Sequence, residues 1–186
     1  QLLAQTVWGF AGRIVFSSIL YVFVLIGTPI VIVRSRAYRL SRTSWRGIRF
    51  SFRGATWNFV RVFVPGALLT LITLGLYYPF FQNNIRRFLV NHSYYGATAF
   101  RFDGKGRDLF GPFLLAVVLS VLTLGVYGFW FSAYLQRYFF GHTSFATARF
   151  RSTVTGGRLL RLHLGNLLRL IFTLGLATPW VMVRNI

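Results

Sequence analysis

The sequence predicts an all-α polytopic membrane protein with short β-hairpins, in which repeats of about 50 residues contain broken or paired transmembrane helices. The composition is 55% hydrophobic and 19% aromatic with a mean hydropathy of +0.57, so a soluble fold would expose too much apolar surface. An octapeptide recurs inside apolar runs at residues 73–80, 123–130 and 173–180, beginning each time with Thr-Leu-Gly. Basic segments separate the apolar runs, as loops do in membrane proteins.

The chain is strongly basic. Lys and Arg number 21, whereas Asp103 and Asp108 are the only acidic residues, so the formal net charge is +19. Nucleic-acid binding is one explanation of such a charge. The apolar runs favour another, in which cytoplasmic loops contact anionic lipid headgroups. We therefore expect lipids rather than nucleic acid as partners, and the lack of cysteine excludes disulfides.

The first apolar run covers residues 14–33, and its end, residues 28–34, matches residues 178–184 at three times the repeat spacing. It is therefore a degenerate copy without Thr-Leu-Gly, which leaves its pairing open. The arginine-rich segment that follows contains residues 48–54, where apolar and polar side chains alternate as in a strand. The ends of the chain cut the repeat, so we expect a longer protein.

Three further apolar runs cover residues 59–81, 109–135 and 164–183. Strand-like stretches recur between them, and Asp103-Gly104 is a dipeptide typical of hairpin turns. The predicted organisation is a single membrane domain of repeats. Its units are residues 1–57, 58–107, 108–157 and 158–186, the last of them partial.

Two arrangements of the octapeptide remain open. All the loops are basic, so a helical hairpin with its tip at the octapeptide would keep every loop cytoplasmic. The helix at residues 109–124 would measure only about 24 Å against a hydrocarbon core of roughly 30 Å, so the alternative is one continuous helix with a kink. The residues expected to form the turn are Thr73, Gly75, Pro79, Thr123, Gly125, Trp130, Thr173, Gly175, Pro179 and Trp180.

Arginines supply the candidate lipid site. The residues expected to contact anionic headgroups are Arg46, Arg49, Arg53, Arg86, Arg87, Arg137, Arg149 and Arg151. Arg61 and Arg169 lie within apolar runs, where a charge is costly and can mark a pathway or a buried partner. Both are near the starts of their runs, so they either extend to the headgroups or line a polar cavity.

Catalytic, cofactor and metal sites are not predicted. Asp103 and Asp108 are explained as turn and helix-start residues. His92 and His142 share a repeat position, but a metal site usually requires more ligands. Residues 103–108 could hold a phosphate through backbone amides, although a tight turn also accounts for them.

The chain resembles the YjgN-like bacterial inner-membrane proteins, the family called domain of unknown function 898. The resemblance is carried by residues 38–54, by the three Thr-Leu-Gly octapeptides and by Arg149-Phe150, and it extends over nearly the whole chain. It implies a multi-pass protein of the bacterial inner membrane with no established activity. The resemblance implies no catalytic or ligand-binding residues.

Three functional hypotheses follow. The first is a non-enzymatic scaffold or accessory subunit with a protein partner in the membrane. The second is a channel or transporter for an anionic or lipidic solute, because broken helices can form a midplane site. The third, a membrane enzyme, would need a cofactor or partner to supply acid and base groups, and we expect no enzyme.

The headgroup hypothesis gives a first prediction. Neutralising Arg86, Arg87, Arg149 and Arg151 is expected to weaken binding to vesicles that contain anionic lipid, because the electrostatic attraction is reduced. Vesicle cosedimentation measures the change. Binding that does not change would refute a role for these arginines at the lipid surface.

Overall fold

The computed structural model describes the backbone of residues 2–172 and the side chains of residue 13 and residues 15–166. The chain forms two compact units, Gln1–Phe102 and Asp103–Ile186. The elements of the first unit are α1 Leu2–Ser41, β1 Ser44–Trp45, β2 Ile48–Phe52, α2 Thr56–Ile72, α3 Tyr78–Asn91, β3 Ser93–Tyr95 and β4 Thr98–Phe102. The elements of the second unit are α4 Gly106–Leu122, α5 Gly128–Gly141, β5 Thr143–Phe145, β6 Ala148–Arg149 and α6 Gly156–Phe172.

The elements recur at an offset of 50 residues. α2, α4 and α6 are each 17 residues long and begin at residues 56, 106 and 156. α3 and α5 are each 14 residues long and begin at residues 78 and 128. The 50-residue repeat of the sequence is therefore also a repeat of secondary structure. The division of the chain into four units stays a prediction.

The prediction of an all-α polytopic membrane protein is wrong. Six antiparallel strands accompany the helices, and only one helix in the described part of the chain is long and apolar enough to cross a bilayer. The reason is that the helices end too early to cross a bilayer. A helix of 17 residues measures about 25 Å, which is shorter than the hydrocarbon core of roughly 30 Å.

The one candidate membrane span is Val15–Ser41, the larger part of α1, near the start of the chain. It has 27 residues, contains a stretch of mean hydropathy 2.4, and is almost entirely unburied. The positions that correspond to Thr-Leu-Gly are Phe23, Val24 and Leu25. Without the turn sequence, the helix continues through Pro29 instead of breaking.

The octapeptide forms a helix break in both described copies. Thr73 ends α2, and its hydroxyl donates to the Leu69 carbonyl at 2.7 Å and accepts from the Tyr77 amide at 3.0 Å. The Gly75 amide donates to the Thr70 carbonyl at 2.7 Å, with Gly75 at φ +92°. This bond is that of a Schellman helix end, in which Leu74 occupies the left-handed position at φ +49° and Gly75 follows it. The chain therefore forms two helices joined by a turn at this octapeptide, although neither is long enough to be the predicted transmembrane helix.

The second copy reproduces these contacts. The Thr123 hydroxyl donates to the Leu119 carbonyl at 2.6 Å and accepts from the Tyr127 amide at 3.0 Å. Gly125 has φ +88°. The third copy, with Thr173, Gly175, Pro179 and Trp180, lies outside the described residues.

The strands form more than isolated hairpins. In the first unit, β1 to β4 pair in sequence order, and the β2–β3 pairing places Phe50 opposite Tyr95. Their rings lie 4.8 Å apart between centroids. The hairpin turns contain Gly47 at φ +79° and Gly96 at φ +59°. The expectation of a turn at Asp103-Gly104 is wrong, because this dipeptide links β4 to α4.

Aromatic side chains fill the core of the first unit. Phe59 of α2 is fully buried and packs against Phe88 of α3 at 5.1 Å between ring centroids. Phe63 meets the edge of Phe81 at 5.2 Å. A Cβ on Gly66 would overlap the Phe81 ring, so the absence of a side chain at Gly66 lets α2 and α3 approach closely.

This close approach predicts that Gly66→Ala destabilises the protein by about 1 kcal/mol, because overpacking costs about 1–3 kcal/mol and exceeds the gain in helix propensity. Gly111→Ala in α4 is the control, since nothing lies within 4 Å of its Cβ position. It should be neutral or stabilising. Thermal unfolding in detergent compares the two variants, and equal stability would contradict the packing argument.

Candidate anion and lipid-headgroup site

A cavity of about 410 Å³ lies beside the last turns of α1. Arg36, Arg39 and Ser35 provide its polar lining, and the remaining lining residues are apolar: Val31, Ile32, Leu40 and Leu89. Helical spacing produces this arrangement, because residues three and four apart lie on the same face of α1. The cavity therefore combines two guanidinium groups with an aliphatic wall.

Arg36 is held in place by β3. Its Nη2 donates to the Ser93 hydroxyl at 3.4 Å, and that hydroxyl donates to the Leu89 carbonyl at 2.7 Å. The Nε of Arg36 is buried and has no hydrogen-bond partner among the described residues. A buried donor on a charged group is costly to leave unsatisfied, so the contact with Ser93 meets only part of the hydrogen-bonding capacity of Arg36.

Positive charge accumulates around Arg36. Arg86 of α3 and Arg39 both repel it, and burial lowers the pKa of Arg86 below its usual range. Residues 1–102 contain twelve arginines and no Asp or Glu. No carboxylate of this unit can therefore compensate the charge.

A second basic cavity, of about 530 Å³, occurs in the second unit. It is lined by Arg137 of α5 and Arg151, together with Gly141, Ser152 and Thr153. Both arginines belong to the predicted headgroup set, and both are exposed. The structure thus brings two of the predicted residues to one open cavity.

The other predicted headgroup arginines are spread over the surface. Arg46 stacks on Trp45 at 4.5 Å and Arg53 on Tyr94 at 4.5 Å, while Arg49 of β2 and Arg87 of α3 are exposed. Arg149 of β6 pairs with Asp103 at 3.0 Å, with both side chains exposed. Such exposed pairs contribute little to stability.

Arg61 lies in the second turn of α2, is exposed, and stands 6.0 Å from the Trp57 ring. This position fits extension to the headgroups better than a buried pathway. Arg169 is in α6, but its side chain lies outside the described residues.

The tips of the helical hairpins expose apolar side chains. Leu74 and Leu124 are each 95% exposed. They have φ values of +49° and +50°. Behind the turns, Pro79 is buried in the first turn of α3, and the Trp130 ring of α5 fills the space where a Cβ on Gly156 would lie.

Three other titratable side chains make structural contacts. The Tyr138 hydroxyl donates to the Lys105 carbonyl at 2.9 Å and to Asp108 at 3.2 Å, and it accepts from the Lys105 amide at 2.8 Å. His92 and His142 contact the carbonyls of Phe88 and Tyr138 through Nδ1, at 2.8 and 2.9 Å. Among the described residues, no His, Asp and Glu cluster could hold a metal.

Comparison with known proteins identifies the family. The family DUF898, described as a bacterial protein of unknown function, matches residues 2–122, 98–151 and 130–186. The chain belongs to DUF898. Searches of curated proteins and of solved structures returned no match. The resemblance noted from the sequence is thereby confirmed.

The sequence argument missed two important residues of this DUF898 protein. Arg36 and Arg39 were not in the predicted headgroup set, although they line the cavity beside α1. A signal was present, because Arg36 and Arg86 occupy the same repeat position, 50 residues apart. The third member of that series is Gln136.

Tyr138 generates a prediction on pH dependence. Mainly through burial, with Asp108 acting in the same direction, its pKa rises from 10.0 to about 12. The neutral phenol is therefore favoured by folding, and its contribution is complete below pH 10 and lost as the pH rises towards 12. The Tyr138→Phe variant should be about 0.5–1.5 kcal/mol less stable than the wild type at neutral pH. Between pH 10 and 12, its free energy of unfolding should fall by less than that of the wild type.

Chemical unfolding across this pH range measures the effect, and the absorbance of tyrosinate follows the ionisation itself. Tyr127→Phe, which removes a hydroxyl elsewhere in the same unit, is the control and should keep the wild-type pH profile. A Tyr138→Phe profile parallel to the wild type would contradict the assignment.

Proposed function

We propose that this DUF898 protein is a non-enzymatic scaffold or accessory subunit of a complex in the bacterial inner membrane. α1 anchors it, and the α2–α3 and α4–α5 hairpins enter the lipid with their tips first. Its arginines contact anionic headgroups on the cytoplasmic side, as the distribution of basic residues in inner-membrane proteins favours.

The conformation of Leu74 and Leu124 carries this proposal. The left-handed region costs a residue with a Cβ roughly 1–2 kcal/mol, and it favours Gly or Asn. Both leucines adopt it with 95% of their surface exposed, so neither backbone preference nor packing within the fold explains their presence. Contact with lipid does explain it, because an aliphatic tip leaves water on insertion.

The length of the hairpins limits how deeply they insert. Between Arg61 and the turn, α2 has eleven residues without charge, 62–72. They span about 16 Å, which is roughly half of the hydrocarbon core of about 30 Å. With Arg61 at the headgroups, the tip reaches the middle of the bilayer and the hairpin occupies one leaflet.

The contacts of the two acidic groups support the scaffold role. Asp103 pairs with Arg149, and Asp108 accepts a hydrogen bond from Tyr138, so both carboxylates serve structural contacts. A partner protein in the membrane would then supply the activity. Purification in mild detergent with mass spectrometry should recover that partner in stoichiometric amount, whereas a chain that carries only a solute or lipid would favour transport.

The insertion of the tips is directly testable, because the chain contains no cysteine. Leu74→Cys and Leu124→Cys, labelled with a spin label in liposomes, should be protected from aqueous relaxation agents and accessible to oxygen dissolved in the bilayer. Electron paramagnetic resonance measures both accessibilities and yields the depth of the label.

Ala97→Cys and Thr147→Cys are matched controls, since they occupy equivalent exposed positions in the strand hairpins. Their labels should remain accessible to water. Leucine-tip labels that are as water-accessible as these controls would refute the insertion of the hairpins.

A further inference from the structure

We propose that the cavity beside α1 is a specific site for one anionic phospholipid, whose phosphate binds Arg36 and Arg39. This inference rests on the proposed membrane location, which places the site at the level of the headgroups. In this proposal the arginines of the first unit bind one defined ligand, in place of a diffuse electrostatic attraction to the membrane surface.

The like charges around Arg36 favour the binding of an external anion. Arg36 lies near both Arg39 and Arg86, so like charges are concentrated at the ends of α1 and α3. Repulsion of this kind is costly when groups are partly buried. Since residues 1–102 contain no acidic side chain, the compensating negative charge must come from outside the unit.

The geometry fits a phosphate group. Arg36 and Arg39 both line the cavity, and the Ser35 side chain lies on the same wall. Guanidinium groups bind phosphate oxygens through several donors at once. The bond from Arg36 Nη2 to Ser93 holds the guanidinium group at the cavity wall.

The apolar wall favours a phospholipid over a free phosphate. Val31, Ile32, Leu40 and Leu89 line the cavity next to the arginines, and a free phosphate would gain nothing from them. Val31 is 66% exposed and belongs to the candidate membrane span. An acyl chain can therefore lie along α1 while the phosphate remains at the guanidinium groups.

The repeat supplies a matched variant. Position 136, equivalent to positions 36 and 86, is Gln, so Arg36→Gln introduces a residue that this architecture accommodates. Arg42→Gln is the control, because it removes the same charge from an exposed position shortly after α1 and outside the cavity lining.

Native mass spectrometry of the detergent-solubilised protein, titrated with phosphatidylglycerol or phosphatidylcholine, tests the site. The wild type and Arg42→Gln should retain one phosphatidylglycerol per chain and not retain phosphatidylcholine. In Arg36→Gln and Arg39→Gln, the affinity for phosphatidylglycerol should fall about tenfold, the loss expected for a charged hydrogen bond.

Thermal unfolding separates binding from a structural role. Phosphatidylglycerol should raise the Tm of the wild type and of Arg42→Gln but not that of Arg36→Gln, because only a bound ligand stabilises the fold. Without lipid, Arg36→Gln should unfold at the wild-type temperature or above it, since a charge without a counterion is removed.

Three results would overturn the proposal. Equal loss of lipid in all three variants would indicate diffuse attraction, and displacement by inorganic phosphate at equal concentration would identify a free anion as the ligand. A lipid-free Tm that falls in Arg36→Gln while lipid occupancy persists would make Arg36 a purely structural residue. The tip-depth measurement remains separate, because specific lipid binding in detergent does not require inserted hairpin tips.

Discussion

One hydroxyl group at the helix break determines how the rest of the chain is arranged. The hydroxyl of Thr73 accepts the Tyr77 amide at the beginning of α3, a donor of the kind that helix starts leave unpaired, and it also donates to a carbonyl in the last turn of α2. Thr123 does the same between α4 and α5. Because these turns are fixed, the apolar runs become short helix pairs, and the basic segments between them are free to pair as strands.

The distribution of charge is the second constraint. In the second unit, the two carboxylates of the chain are engaged by Arg149 and Tyr138. The Asp, Glu, Lys and Arg residues of the first unit are all arginines. Two of them stack on aromatic rings, Arg46 on Trp45 and Arg53 on Tyr94. Arg36 makes no such stacking contact among the described residues, and it is the arginine to which we assign the proposed lipid phosphate.

Much of the local structure could be predicted from the sequence. The helix break followed from Gly75 and Gly125, whose conformations favour glycine, and the strands followed from the alternation around Phe50. The number of candidate membrane spans was predicted wrongly, although the short helix at residues 109–124 was visible in the sequence, because the basic loops were given more weight than the helix length. The cavity was missed because Arg36 and Leu89 are distant in sequence and line one cavity only in the folded chain.

The conformation of the tip leucines also has a consequence for the evolution of stability. Each turn holds a side chain where the backbone resists it, so the fold stores a cost of about 1–2 kcal/mol at each tip. A selection for stability in water alone would replace both leucines with Gly or Asn. Under the proposed insertion of the tips, the chain answers to two solvents at once, and each leucine exchanges a weaker turn for contact with hydrocarbon.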